Sequence, residues 1–249
     1  MSRHLRFFAQ VELPSGEAVL AHCANPGRME GLVLPGARVW LSDHNDAKRK
    51  LRYTLELVER DGHLIGANTL VPNRFVAALL ERRLLPAYRD ATGFRAEVRC
   101  GEGHRVDFLI AAPGGPELLE VKNCHLVHPD LCGYFPDSVS KRATAHLELL
   151  RSVVRSGGAA SVLFVVQHPA AASVRPSDVH DPAFAAAARS VARDGVKLRA
   201  VRARPSLDGL HFDQEIPVDL EPYATAPIAR WRAELAETSG SQRTLPRPA

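Results

Sequence analysis

Asp107, Glu120 and Lys122 lie close together in the stretch 105–124, which reads as two short apolar runs, RVDFLIA and ELLEVKNC, on either side of a turn at Pro113, Gly114, Gly115 and Pro116. Each run is too short for a typical helix, so an antiparallel hairpin is predicted. Side chains alternate along a strand. Glu120 and Lys122 therefore share one face, while Val121 points the other way into a core. Pairing of the two strands brings Asp107 beside Glu120. Two carboxylates flanked by a cation suit a hard divalent ion and a positioned water, the equipment of metal-assisted phosphodiester hydrolysis. Asp107 and Glu120 are the candidate ligands for Mg2+ (or Mn2+), and Lys122 is the candidate for holding the water. The spacing alone carries little. With fifteen Glu and five Lys in the chain, a chance Glu-x-Lys is expected about 0.3 times in a composition this poor in Lys. The context narrows it, because an ionised Glu and Lys inside an apolar strand are costly unless paired or metal-bound.

The elements that must position this hairpin follow from the rest of the chain. Its 249 residues suit one or two domains, and 45% hydrophobic with 24% charged residues is an ordinary globular composition. No apolar run approaches the roughly 18 residues of a membrane span, and MSRHLRFFAQ lacks the apolar core of a secretory signal. A cytoplasmic protein without a membrane partner is expected. Four cysteines are scattered with no C-x-x-C pair, so reduced thiols are expected. Cys124, His125, His128 and Cys132 are zinc-ligand types, but their spacing fits no finger well and buried structural residues are the better reading.

From Phe7 to about Leu70 the pattern is short strands and tight turns, namely FFAQVEL, AVLAHC, GARVWLS and LRYTLELVER. Five or six such strands suit a small closed barrel of the OB type, a fold that binds single-stranded nucleic acid. Net charge is +4 with a pI near 9.0, and 27 of the 32 basic residues are Arg. That balance permits a phosphate partner without requiring one. Phosphate contacts are expected from Arg28, beside Gly27, and from Lys48, Arg49, Lys50 and Arg52. Lys141 and Arg142, at the start of a later helix, are the alternative face.

Pro72 and Asn73 introduce RFVAALLERRLL, whose Phe75, Val76, Leu79 and Leu80 fall on one helical face. A strand at 96–102 and the hairpin follow. Asp137 or Ser138 is expected to cap a helix running to Arg155, with Leu147, Leu150 and Val154 inward. ASVLFVVQ is a continuous apolar strand, Asp181 and Pro182 open another helix, and VKLRAVRA is the last clear strand. The expected architecture is two-domain α/β. An OB-like barrel occupies 1–72, a mixed sheet flanked by helices occupies 73–220, and 221–249 forms an extension outside the fold. Within that extension a short helix at 227–237 and a disordered GSQRTLPRPA are expected.

With these segments in order, the sequence resembles the sugar fermentation stimulation protein family over about residues 3 to 218. The stretches that carry the likeness are AHCANPGRMEGL, RKLRYTLELVE, NTLVPNRFV, RVDFLI, EVKN, YFPDSVSKRATAHL, VLFVVQ and DPAF. The resemblance implies an OB-like domain and a restriction-endonuclease-like domain of the PD-(D/E)xK kind, with DNA as partner. It also implies a role in regulating sugar metabolism genes. The motif's aspartate, acidic residue and lysine match Asp107, Glu120 and Lys122. A fourth acidic ligand, where related nucleases have one, falls to Glu81 or Glu97. The chain departs from the family pattern at Arg142-Ala143-Thr144, at Lys141 and at His104. The alternative to a nuclease is a transcriptional regulator that keeps the fold without turnover.

Overall fold

The computed structural model describes residues 1–100 and 103–240. Its N-terminal part is a six-stranded sheet of β1 (Ser2–His4), β2 (Phe8–Glu12), β3 (Ala18–His22), β4 (Val39–Asp43), β5 (Tyr53–Arg60) and β6 (His63–Gly66). The order is β1-β2-β3-β5-β4, with β6 on β5. All pairs are antiparallel except the short parallel contact of β3 with β5. Alternation along the strands turns Ala9, Val11, Ala21, Leu55, Val58 and Ile65 into one core.

The second part is built on a six-stranded mixed sheet. Its strands are β7 (Phe94–Arg99), β8 (Arg105–Ala112), β9 (Gly115–Cys124), β11 (Ala159–Val166), β13 (Lys197–Ser206) and β14 (Gly209–Ile216). The order is β14-β13-β11-β9-β8-β7, with β9, β11 and β13 parallel and the remaining pairs antiparallel. The two central apolar strands are covered on both faces, as parallel strands require. On one side α1 (Val71–Glu81) presents Phe75, Val76, Leu79 and Leu80 to Leu119, Val121, Leu163 and Val165. On the other, α2 (Lys141–Arg155) and α3 (Pro182–Arg193) set Leu147, Leu150, Phe184 and Ala188 against Val162, Phe164 and Val166. Each Val, Leu or Phe among them contributes about 1.5–3 kcal/mol by leaving water. A small parallel pair, β10 (Cys132–Phe135) and β12 (Ser173–Pro176), lies beside this sheet.

Several expectations shift. The helix after Asn68 opens at Val71, with Pro72 in its first turn, and stops at Glu81, because Arg83 takes a φ of 57° that a helix cannot continue through. The cap of α2 is Ser140, which accepts from Ala143 N at 3.2 Å, and not Asp137 or Ser138; Asp137 instead reaches back to the N-terminal domain. Val154 on α2 is only partly buried, while Leu147 and Leu150 are buried as expected. Asp181 caps α3 as expected, accepting from Phe184 N at 3.0 Å. A further strand, β14, follows the turn at Leu207–Asp208. Its polar sequence hides it, yet Asp208-Gly209 is the signature of a tight hairpin turn. Among the described residues no helix is long and apolar enough to cross a membrane.

The largest correction concerns the segment after Glu221, expected to lie outside the fold. Helix α4 (Ala226–Gly240) packs back onto both domains. Ile228 is buried with Leu126, Cys132 and Tyr134, and the Trp231 ring lies 4.2 Å from that of His128. Arg232 grips Glu30 of the N-terminal domain with two bonds of 2.8 and 2.7 Å, and His180 meets the same carboxylate at 2.8 Å. Residues 241–249, the bulk of the tail expected to be disordered, lie outside the described residues.

Burial opposes the charge of Glu30, but the hydrogen bonds from His180 and Arg232 outweigh it and hold the carboxyl down to about 2. Since that lies below the ordinary value of 4.5, the contribution to stability is complete above the ordinary value and is lost as pH falls from there toward 2. In a Trp40→Phe background, Trp231 emission should hold steady from neutral pH to the ordinary carboxylate value, then shift to the red on further acidification. Glu30→Gln should show the shifted spectrum at neutral pH. Identical spectra for the two proteins would detach the docking of α4 from Glu30.

Candidate functional site

The hairpin β8–β9 carries the three residues singled out by the sequence, and the structure brings all three together. The ladder pairs Phe108 with Leu119, so one further step sets Asp107 opposite Glu120. Regular pairing stops there because the Asp107 carboxylate replaces a backbone acceptor: Oδ2 accepts from Val121 N at 2.7 Å. Val121 itself faces the α1 side of the core, as the alternation requires. Asp107 Oδ1 accepts from Asn73 Nδ2 of α1 at 2.6 Å. Helix α1 therefore contributes to the site, through an amide in its first turn rather than through an acid.

Glu120 and Lys122 are both buried, at 4% and 8% exposure. Lys122 Nζ donates to Glu120 Oε1 at 2.5 Å, and His146 Nδ1 donates to the same oxygen from α2. The other oxygen, Oε2, is buried and has no hydrogen-bond partner. A bare carboxylate oxygen in the interior forfeits its hydration, at about 1–3 kcal/mol and more when charged. Two donors thus saturate one side of the carboxylate and leave the other as an open, electron-rich ligand. The pair is also driven apart electrostatically. Burial, then the neighbouring Glu120 charge, push the Asp107 carboxyl above its usual range. Burial acts on Glu120 in the same direction, but the His146 hydrogen bond and Lys122 outweigh it and hold that group below the usual range.

The open Glu120 oxygen and the adjacent Asp107 fit a hard, oxygen-seeking cation. Among the described residues no group of three or more His, Cys, Asp and Glu side chains converges to hold a metal. An ion here would therefore take two carboxylates, a backbone carbonyl such as that of Val121, and water. That is the sparse protein shell Mg2+ tolerates and zinc does not. The zinc-type set Cys124, His125, His128 and Cys132 does not assemble: Cys132 Sγ takes a bond from Ser173 Oγ, and the His128 ring is packed between Tyr134 and Trp231. Neither proposed fourth acid joins the pair. Glu81 is exposed at the end of α1. Glu97 lies across from Asp107 but at a φ of 55°, which turns it out to an exposed ion pair with Arg105 at 3.2 Å.

His146 and Asn73 are the residues the sequence reading passed over. Both had a signal. His146 falls with Ala143, Leu147 and Leu150 on the inward face of α2, where a polar residue needs a partner. Asn73 sits one turn before the apolar stripe of α1.

The basic residues are spread over both domains. Lys48, Arg49 and Lys50 are exposed on the β4–β5 connection, with Arg49 Nη2 reaching Thr54 Oγ1 at 3.4 Å. Arg52 is held by Asp43 in a two-pronged pair of 2.7 and 2.6 Å, which offsets its charge. Arg28 is exposed, 3.6 Å from Glu30. Lys141 and Arg142 are exposed at the first turn of α2, the helix that also carries His146.

The two parts of the fold correspond to two family models. Residues 1–67 match the SfsA N-terminal OB domain, and residues 70–209 match the sugar fermentation stimulation protein RE domain. The chain is 44% identical over 220 residues to a sugar fermentation stimulation protein homolog from Methylobacterium sp. (strain 4-46), covering 87% of this chain and 92% of that one. It is 43% identical over 199 residues to the homolog from Caulobacter vibrioides, covering 80% and 83%. A solved structure of Pyrococcus furiosus SfsA in complex with Ca2+ superposes with a TM-score of 0.80 at 25% identity, covering 88% of this chain and 93% of that one. An OB domain joined to a restriction-endonuclease-like domain, matched along nearly the whole chain, makes this protein a member of the sugar fermentation stimulation protein family.

Proposed function

We propose that this chain is a DNA-binding protein whose second domain hydrolyses phosphodiesters with Mg2+ (or Mn2+), acting in the cytoplasm, where its four free cysteines stay reduced. The observation that carries the reading is the buried, unpartnered Oε2 of Glu120 beside Asp107. The Pyrococcus furiosus relative, described in complex with Ca2+, offers a hard cation of the same ligand preference. Asp107, Glu120 and the carbonyl of Val121 would hold the ion. When bound, it supplies Lewis acidity at a phosphoryl oxygen and lowers the pKa of a water. The protein's own groups do the rest. Asn73 and the Val121 N–H keep Asp107 in place. His146 fixes Glu120 so that Oε2 remains the open oxygen. Lys122 spends one of its three donors on Glu120 Oε1, leaving two to orient the attacking water and to meet charge developing on the phosphorane. Lys48, Arg49, Lys50, Arg52 and Arg28 contact phosphates, with Lys141 and Arg142 as the face nearer α2.

Labelled single-stranded DNA, duplex DNA and RNA, each incubated with Mg2+, Mn2+ or chelator, test the reaction. Cation-dependent hydrolysis is expected. Glu120→Gln and Lys122→Ala should each lower it by about a hundredfold or more, as the loss of a directed electrostatic group does, while DNA binding survives. Hydrolysis unchanged in both variants would mark a contaminant and leave a binding-only transcriptional regulator as the function.

Cation affinity gives an independent reading of the site. His146→Leu fills the same space without the donor and should weaken Mn2+ binding, followed by calorimetry, by about 10- to 100-fold, as removal of a ligand's supporting partner does. His146→Asn keeps a donor near the Nδ1 position and should recover most of that loss. Equal affinity in the Leu variant would remove His146 from the site.

Replacing Lys48, Arg49 and Lys50 by Ala should flatten the salt dependence of DNA binding, each lost contact lowering the log-log slope by about 0.7 to 0.9. An unchanged slope would move the binding face to Lys141 and Arg142.

A further inference from the structure

The N-terminal domain carries a surface of which the phosphate contacts above include only Arg28. Three residues other than glycine adopt left-handed backbone there: Leu5 at a φ of 50°, Arg6 at 63° and Met29 at 53°. Such conformations persist only where the surroundings over-determine them, and they gather at sites of function. Here one guanidinium does the fixing. Arg3 donates from Nε and Nη2 to Arg6 O at 3.2 and 2.6 Å, from Nη1 to Gly27 O and Arg28 O at 3.0 and 3.2 Å, and from Nη2 to Asn25 O at 2.5 Å. The loop 5–7 and the turn 26–29 are thereby clamped into one unit.

That unit is also pinned to the second domain. Asp137 Oδ2 accepts from Met29 N at 2.9 Å, and Gly27 lies so close that a Cβ there would run into the Asp137 carboxylate. Asn25 Oδ1 closes the turn by accepting from Gly27 N at 2.9 Å. The interior side of the clamp is fully used. Its outer side presents Leu5 at 82% exposure and Phe7 at 48%, together with the exposed cations Arg6 and Arg28. Glu30 lies 3.6 Å from Arg28, but its carboxylate is held more closely by Arg232 and His180, at 2.7 to 2.8 Å.

We propose that this clamped double loop grips an unpaired DNA strand, with Phe7 and Leu5 against base faces and Arg6 and Arg28 on the flanking phosphates. Exposed apolar side chains between cations match a strand whose bases are splayed out. A duplex offers such a surface only its phosphate walls, because its base faces are stacked within. The rigid tie through Asp137 holds the gripped strand at a fixed offset from the Asp107 and Glu120 carboxylates. The inference rests on the nucleic-acid reading above and narrows it to single strands and to this surface.

Fluorescence anisotropy on full-length protein with a labelled oligo(dT) of 20 nucleotides and with a 20-base-pair duplex, each at several salt concentrations, tests it. Leu5→Ala/Phe7→Ala should weaken oligo(dT) binding by roughly 5- to 150-fold, the range of one lost base stack, with its salt slope and the duplex affinity unchanged. Arg6→Ala/Arg28→Ala, which leaves the apolar pair intact, should lower the slope on oligo(dT) by about 1.4, two contacts' worth. Thermal unfolding checks that each variant keeps the fold, and Phe7→Trp, which keeps both bulk and ring, should bind at least as tightly as the original. Wild-type binding to oligo(dT) that neither double variant alters would overturn this surface and leave the nucleic-acid reading standing. Failure of the wild type to bind either DNA would overturn both. Equal losses on oligo(dT) and duplex would overturn the single-strand assignment.

Discussion

A carboxylate with one satisfied oxygen and one bare one, buried in the middle strand of a two-faced sheet, is the constraint around which the second domain is arranged. Strand β9 runs between helical layers, so any charge on it must find its partners inside the fold. Lys122 lies two residues along the same face of the strand. His146 arrives from α2, whose inward stripe is otherwise apolar. Removing either leaves Glu120 Oε1 short of a donor in a place water reaches poorly. The helix, the strand and the site are thus one packing problem. Asp107 obeys the same logic from the neighbouring strand, where it ends the ladder by taking the Val121 N–H and draws a side chain from α1 on the opposite layer.

The N-terminal domain is joined to this core by polar ties rather than by a shared hydrophobic interior. Its own core is separate. Met29 N to Asp137, Gly66 N to the carbonyl of Gln167 at 3.1 Å, and Glu30 to Arg232 and His180 are directional bonds between specific atoms. Hydrophobic contact tolerates sliding, whereas hydrogen bonds of this length fix register. The two close glycine approaches have the same meaning: a Cβ on Gly27 would meet Asp137, and one on Gly66 would meet Gln167. The N-terminal sheet and the pair Asp107 and Glu120 on the second domain are thereby held in a set relation.

The C-terminal helix completes the arrangement. Its apolar residues do not gather into the stripe that marks α3. What seats it is a small number of specific anchors, Ile228 in an apolar notch, Trp231 on His128 and Arg232 on Glu30. These partners come from the stretch 126–134 and from Glu30, all far away in sequence. An element held this way cannot be placed from its own composition, which is why reading it as an appendage failed.

The sequence by itself determined the strand pattern of the N-terminal domain, the apolar faces of α1 and α2, the cap of α3 and the hairpin with Asp107, Glu120 and Lys122. All of these rest on local periodicity or nearest-neighbour chemistry, which a linear reading contains in full. It also supplied the family, through motifs in their order. Only the tertiary structure decided which oxygen of Glu120 is open, that His146 and Asn73 support the pair, that Glu97 turns away from it, and that α4 returns to bridge the domains. Apart from the local turn of Glu97, these depend on which side chains meet across 26 to 202 residues of chain. Meetings at that range are set by the packing of whole elements, and no spacing along the chain encodes them.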